Sequence, residues 1–328
     1  MKAIICENYC DPDELTVAHL PTPTPEDNQV LVKVLAAGVN FPDTLIIQGK
    51  YQLKPPFPFA PGFEVVGEVI ECGAHVRSIK MGDKIVGLAA NGHGAFAEMA
   101  VVNASEAISV PNEVNHLDAV AIYTAAGTSF HALHNRANLS PHEFLLVNGA
   151  AGGVGLTAVQ IGKSLGATVI AAASSKQKLK IASENGADFL IDYQTQDIKQ
   201  EINRITNGYG LDVCLDPVGG EIFNTVSRCM AWGGRLLTVG FASGQIPTLP
   251  ANLALLKGYS LVGVYWGESI KRNSNQHKTN FVEIFELLRI KKIKPNIHKI
   301  YALAEVPTAL AEISNRQING KLIIDLSK

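Results

Sequence analysis

With 328 residues, 47% of them hydrophobic and 18% charged, the chain has material for large packed cores, and two domains are expected. A formal net charge of −2 without a long basic block argues against nucleic acid as the principal partner, and the short cluster Lys291, Lys292 and Lys294 reads as a solvated helix end. The opening Met1-Lys2-Ala3-Ile4-Ile5-Cys6-Glu7 is too short an apolar run for a signal peptide, and no other run approaches the ~18 apolar residues of a membrane span, so a cytoplasmic protein without a membrane partner is expected.

The five cysteines, Cys6, Cys10, Cys72, Cys214 and Cys229, are odd in number, scattered and without C-x-x-C spacing. In a reducing compartment that pattern points to small buried hydrophobes rather than disulfides or metal ligands.

The first ~120 residues alternate apolar strands with Pro and Gly breaks, which predicts a β-rich domain with strands over 1–6, 15–18, 29–39, 64–71, 83–87 and 94–102. The prolines of Pro21-Thr22-Pro23-Thr24-Pro25 forbid both helix and ladder pairing, so this stretch reads as an extended surface connection. From Leu117 the period becomes helical, with Leu117, Val120, Ala121 and Thr124 on one face, and the pattern runs on through Thr128 to Leu133.

The stretch from Phe144 to Gly162 organises the second half of the chain. Phe144-Leu145-Leu146-Val147 is an apolar run suited to a strand buried on both faces, and a helical pattern starts at Val154. Between them lies Asn148-Gly149-Ala150-Ala151-Gly152-Gly153-Val154-Gly155. Ala150, Gly152 and Gly155 take the three small-residue places of a dinucleotide fingerprint, for the tight turn, the approach of a pyrophosphate to the backbone, and close packing of helix on strand. Free N–H groups at the positive end of the helix then receive the phosphates. A second apolar strand, Thr168 to Ala173, completes a βαβ unit of about 30 residues.

The end of that second strand separates NAD from NADP. An acidic residue about 20 positions past the glycines would take the ribose 2′-hydroxyl. Here the chain reads Ser174-Ser175-Lys176-Gln177-Lys178, with no carboxylate before Glu184. Hydroxyls and ammonium groups suit a 2′-phosphate, so NADPH is the expected cofactor.

Alternation of strand and helix persists: helix 176–185, strand 189–191, helix 197–206, strand 211–216, helix 222–230, and strands 234–240 and 260–264. Strands spaced by helices demand a parallel, doubly wound sheet with right-handed crossovers and ligands at the carboxyl ends of its strands. Gly219-Gly220 and Gly240-Phe241 follow two such ends and are candidate cleft walls or simple turns. The last segment holds a helix 281–289, a strand 297–301, a helix 306–314 and a strand over 320–326 expected to rejoin the N-terminal β domain.

In order, Gly38-Val39-Asn40-Phe41-Pro42-Asp43, Pro61-Gly62-Phe63-Glu64, Gly67-Glu68-Val69, Gly82-Asp83-Lys84-Ile85-Val86, Ala150 to Gly155 and Gly320-Lys321 make the chain resemble the medium-chain dehydrogenase/reductase superfamily, and most closely its zinc-free quinone oxidoreductase branch. The resemblance implies a GroES-like β-rich catalytic domain over 1–123 and 265–328 and a Rossmann doubly wound parallel-sheet domain over 124–264, an α/β protein that pairs as a homodimer through the strand at 260–264. Zinc-dependent relatives carry a Cys ligand where this chain has Ala37 to Asn40 and a His at Phe63, and the cysteine lobe of their structural zinc is missing between Met99 and Pro111.

By the same resemblance Asn40 and Asp43 lie near the nicotinamide and substrate, Tyr51 at the cleft mouth and Thr128 against the nicotinamide carboxamide. Asn148, Ala150, Ala151, Gly152, Gly153, Val154, Gly155, Gly240 and Phe241 line the nucleotide, and Ser174, Lys178, Tyr193 and Arg316 surround its 2′-phosphate. Asn40 and Asp43 are also good caps for a helix at Pro42, and Tyr51 could be simple packing beside Pro55-Pro56. The implied activity is NADPH-dependent quinone reduction without a metal. Reduction of an α,β-unsaturated carbonyl or thioester is the alternative, and a structural or regulatory NADPH-binding role is the non-enzymatic one.

Overall fold

A computed structural model describes residues 1–315 and 318–327. Their contacts divide into two compact units, Met1–Thr124 with Asn273–Phe281 and Pro295–Lys328, and Ala125–Arg272 with Val282–Lys294.

In the first unit β1 (Lys2–Ile5) and β2 (Thr16–His19) form an antiparallel pair. The 11-residue β3 (Gln29–Val39) is buried along almost its whole length and leads into a short helix, α1 (Phe41–Ile47). Then come β4 (Glu64–Cys72), β5 (Lys84–Leu88), β6 (Met99–Asn103), β7 (Ile108–Ser109) and the helix α2 (His116–Phe130). The strand expected over 94–102 starts only at Met99, because Gly94 at φ +110° breaks the extended run and Ala97 makes no more than an isolated bridge to Ala3.

The second unit alternates β8 (Phe144–Asn148), α3 (Gly153–Ser164), β9 (Thr168–Ala173), α4 (Lys176–Glu184), β10 (Phe189–Asp192), α5 (Ile198–Ile205), β11 (Leu211–Asp216), α6 (Gly220–Val226), β12 (Met230–Thr238), α7 (Ala251–Lys257), β13 (Ser260–Gly263) and α8 (Trp266–Arg272). The six strands are all parallel in the order β10-β9-β8-β11-β12-β13. The chain steps outward twice from β8, then returns to its other side at β11, so β8 and β11 flank the switch point where such sheets take ligands. Leu146, Ile170, Ala172, Ile191, Cys214 and Leu236 form the buried heart of this sheet, with Ile202 and Phe223 packing on it from the helices.

The chain closes through α9 (Ser274–Arg289), β14 (Ile297–Tyr301), α10 (Val306–Ser314) and β15 (Lys321–Asp325). As the sequence implies, β15 pairs antiparallel with β3, so the C-terminal strand joins the N-terminal sheet, whose order is β14-β15-β3-β4-β5-β7 with β6 also on β3. The second unit extends past the expected limit at 264 to take in α8 and residues 282–294. One physical reason is Trp266, whose indole lies where a side chain on Gly127 would have to be. No described helix is long and apolar enough to cross a membrane, and the five cysteines are all free thiols.

Candidate functional site

β8 ends at Asn148, and the chain turns through Gly149 at φ +62° before α3 starts with Gly152 as its N-cap. A Cβ on Gly155 would overlap the Gly149 carbonyl oxygen, so only glycine lets α3 pack this closely on the turn. Gly152 is different. A Cβ there would meet the Gly149 oxygen at 3.4 Å, an ordinary contact, so the protein itself does not demand glycine at that place. A bare backbone there keeps the approach to the helix start open. The first N–H groups of α3 have no acceptor inside the helix and sit at its positive end, which is the arrangement that binds phosphate.

The end of α2 is tied to this turn. Ser129 Oγ donates to the Val154 carbonyl at 2.8 Å and lies 2.9 Å from Thr157 Oγ1, and Thr128, which precedes it on α2, is buried. At the neighbouring strand end Asn148 Nδ2 donates to Asp216 Oδ1 at 3.3 Å, and the same carboxylate oxygen accepts from the N–H groups of Val218 and Gly219 at 2.9 and 3.1 Å. Burial pushes the Asp216 carboxyl above its usual range. Asp216 is absent from the sequence expectations; an acid closing the apolar run Leu211–Asp216 is the signal that could have found it. Beyond β12 the loop of Gly240 and Phe241 folds onto that of Gly219, with Ala242 N–H bonded to the Pro217 carbonyl at 3.0 Å.

At the end of β9 the expected phosphate-reading residues come together. Ser175 caps α4, its Oγ accepting from the Lys178 N–H at 3.3 Å, and Lys178 Nζ folds back to donate to Ser174 Oγ at 3.4 Å. Tyr193, just past β10, meets the same strand end only by its backbone N–H on the Ala173 carbonyl at 3.3 Å, and its side chain packs partly buried on the core of the unit. Arg316 lies outside the described residues.

In the first unit, Asn40 and Asp43 do cap α1: Asn40 is its N-cap, and Asp43 Oδ2 accepts the Asn40 N–H at 2.8 Å. They also belong to a buried polar cluster. Lys321 Nζ donates to Asn40 Oδ1 and to Glu64 Oε2, both at 2.5 Å, and Asn40 Nδ2 donates to Glu64 Oε2 at 2.7 Å. Glu64 and Asp43 have no exposed surface and Lys321 is 5% exposed. Burial is the main cause that raises the Asp43 carboxyl to about 8, with the Asn40 N–H, the Lys321 ammonium and the Phe63 N–H opposing and Glu64 adding to it. Glu64 and Lys321 carried no role in the sequence expectations, although each is a charged residue that opens a strand directly before a run of apolar residues. Tyr51 packs half-buried on the core of the unit.

The donor set at this place does not fit a zinc ion. Phe63 offers no ligand atom, and the cation that faces Glu64 and Asn40 is the Lys321 ammonium. Among the described residues no group of three or more His, Cys, Asp or Glu could hold a metal. His93 stands instead against the Phe59 ring, with burial lowering its basicity.

Comparison with known proteins gives two matching families, the alcohol dehydrogenase GroES-like domain over residues 26–112 and the zinc-binding dehydrogenase over residues 153–283. A quinone oxidoreductase-like protein 2 homolog of Nematostella vectensis is 36% identical over 329 residues, 99% of this chain and 88% of that protein. The Escherichia coli quinone oxidoreductase, solved in complex with NADPH, superposes with a TM-score of 0.92 at 27% identity, covering 99% of this chain and 100% of the other. A mycobacterial protein solved with NADPH gives 0.92 at 28% identity, over 99% and 100% of the two chains.

Proposed function

The chain belongs to the medium-chain dehydrogenase/reductase superfamily, in its quinone oxidoreductase branch, and from that membership we propose that it is an NADPH-dependent quinone reductase that works without a metal ion. The observation that carries most weight is the nucleotide turn: Gly155 packed on Gly149, a helix start left open at Gly152, and Lys178 held over Ser174 where an NAD enzyme presents a carboxylate.

On this reading the α3 amides bind the pyrophosphate, Thr128 meets the nicotinamide carboxamide, and Ser174, Lys178 and Tyr193 read the 2′-phosphate. NADPH supplies a hydride, and with one proton from solvent a quinone becomes a hydroquinone. Asn40 handles the acceptor, while Asp43, which has no exposed surface, holds the Asn40 backbone from behind, and the protein's own contribution is orientation and hydrogen bonding. An electron-poor acceptor needs no Lewis acid, in keeping with a cluster whose cation is Lys321. An enone would satisfy the same requirement, which makes enone reduction the second reading. The free thiols fit the reducing cytoplasm.

We also propose a homodimer. β13 is the edge strand of the parallel sheet, and Leu261 on it, with Leu255, Leu256 and Trp232 nearby in the chain and sheet, leaves large apolar surface exposed. The test of the activity is a panel of quinones and enones followed by NADPH absorbance. Faster saturable turnover of quinones supports the proposal, turnover confined to enones selects the second reading, and binding of NADPH without turnover of any acceptor defeats both.

A further inference from the structure

Lys321 and Glu64 take no direct part in the proposed hydride transfer, yet they form the best-buried ion pair in the first unit, at 2.5 Å. We infer that Lys321 and Glu64 are positioning residues that together fix the Asn40 carboxamide, so that it meets the acceptor with one free lone pair on Oδ1 and no free N–H. This rests on the reading of Asn40 as an acceptor-handling residue.

Strand register builds the group. Gly38 of β3 is opposite Glu64 of β4, and Val39 is opposite Leu322 of β15, which puts Lys321 level with Asn40. Gly38 leaves the room: a Cβ there would overlap Glu64 Oε2 and stand 3.0 Å from Lys321 Cε. The other Glu64 oxygen accepts the Thr124 N–H at 2.8 Å, so the carboxylate is held at both ends.

A lysine ammonium can only donate and a carboxylate can only accept. The end of the Asn40 amide 2.5 Å from Lys321 Nζ must therefore be Oδ1, and the end 2.7 Å from Glu64 must be Nδ2. Turning the amide over would set two donors and two acceptors face to face. Nδ2 has two hydrogens, and they go to Glu64 Oε2 and to the Gly38 carbonyl at 3.2 Å. Oδ1 has two lone pairs, and Lys321 takes one. What Asn40 retains is a single acceptor. It suits a donor such as the hydroxyl of a hydroquinone or a bridging water, and it cannot itself polarise a quinone carbonyl. A buried ion pair is a poor device for stability alone, and fixing the orientation of a third group is a use that suits it.

The test is a double-mutant cycle. kcat and KM for NADPH-dependent reduction of 1,4-benzoquinone are measured in the parent, Lys321→Met, Asn40→Ala and the double variant, with the NADPH dissociation constant as a check on the second unit. Lys321→Met should lower kcat by about tenfold to a hundredfold, the scale of a misplaced reacting group, and leave NADPH binding within about twofold. In the Asn40→Ala background the same change should have almost no further effect on kcat. An equal loss in both backgrounds would overturn the inference, since Lys321 would then act through something other than Asn40. If Lys321→Met does not fold, the neutral pair Lys321→Met with Glu64→Gln takes its place, and parental kcat in that variant overturns the inference. If the parent reduces no quinone, the proposed function fails on its own, and the positioning claim is read from the Asn40 side-chain amide by NMR. Hydrogen exchange there should be at least about tenfold faster in the neutral-pair variant, and unchanged exchange contradicts the claim.

Discussion

A titratable group shut away from water gives up its charge more readily than one in solvent, and Asp43 and His277 show both signs of this effect. Asp43 is raised from 3.8 to about 8, so its contribution to stability is complete below the unfolded value and is lost as pH rises through about 8. His277, 3.3 Å from the Tyr123 hydroxyl, is lowered by burial from 6.5 to about 4, so its contribution is complete above 6.5 and is lost as pH falls through about 4. Between pH 6.5 and 8 only the first of these two acts. Over that window Asp43→Asn should gain on the parent by up to roughly 1.4 kcal/mol per pH unit, measured as the difference in urea unfolding free energies, and a pH-independent difference would contradict the assignment. Lys178 makes a second residue-scale prediction. One charge-assisted hydrogen bond contributes about 1.5 to 3 kcal/mol, and about 1.4 kcal/mol is a factor of ten. Lys178→Ala should therefore weaken NADPH about tenfold to a hundredfold and leave NADH unchanged in paired titrations. Equal weakening of both would make Lys178 a support of α4 rather than a reader of the phosphate.

At the scale of elements, the turn between β8 and α3 separates packing from binding at two neighbouring glycines. Gly155→Ala drives a Cβ onto backbone and should lower stability by about 1 to 3 kcal/mol, the usual penalty of overpacking. Gly152→Ala adds only an ordinary contact, so its melting temperature should match the parent while NADPH binding drops. Calorimetry and titration on the two variants check this, and a Gly152→Ala protein that binds NADPH normally would show that no phosphate approaches there. This turn was legible in the sequence because the glycines respond to local geometry, and β9 through β11 were legible because apolar runs alternate with helical periods. α7 and α8 were not, since Ala251–Lys257 exposes Leu255 and Leu256 and packs only Leu253 and Ala254 on the core, and α8 is anchored mainly by Trp266 and Ile270. All seven residues of α9 before Phe281 are polar, so its beginning at Ser274 rather than near 281 has no apolar signal either. Glu64 and Lys321 stand 257 positions apart, and only the register of three strands brings them to Asn40.

For the whole molecule, the exposed edge at β13 predicts association. Leu255 and Trp232 are each 79% exposed, more than a monomeric surface needs. The parent should sediment as a dimer at micromolar concentration, and Leu261→Asp, which sets a charge on the edge strand, should raise the dimer dissociation constant at least about tenfold. A parent that sediments as a monomer would mean the edge is protected in another way. The central claim, hydride transfer from NADPH to a quinone with no metal involved, is tested most directly by the steady-state oxidation of NADPH by 1,4-benzoquinone with protein held in excess chelator. Saturable turnover is predicted, unaffected by the chelator and at least about tenfold better in kcat/KM with NADPH than with NADH, as loss of one charge-assisted contact to the 2′-phosphate requires. No turnover above the uncatalysed rate, or activity that disappears on chelation and returns with zinc, would contradict it.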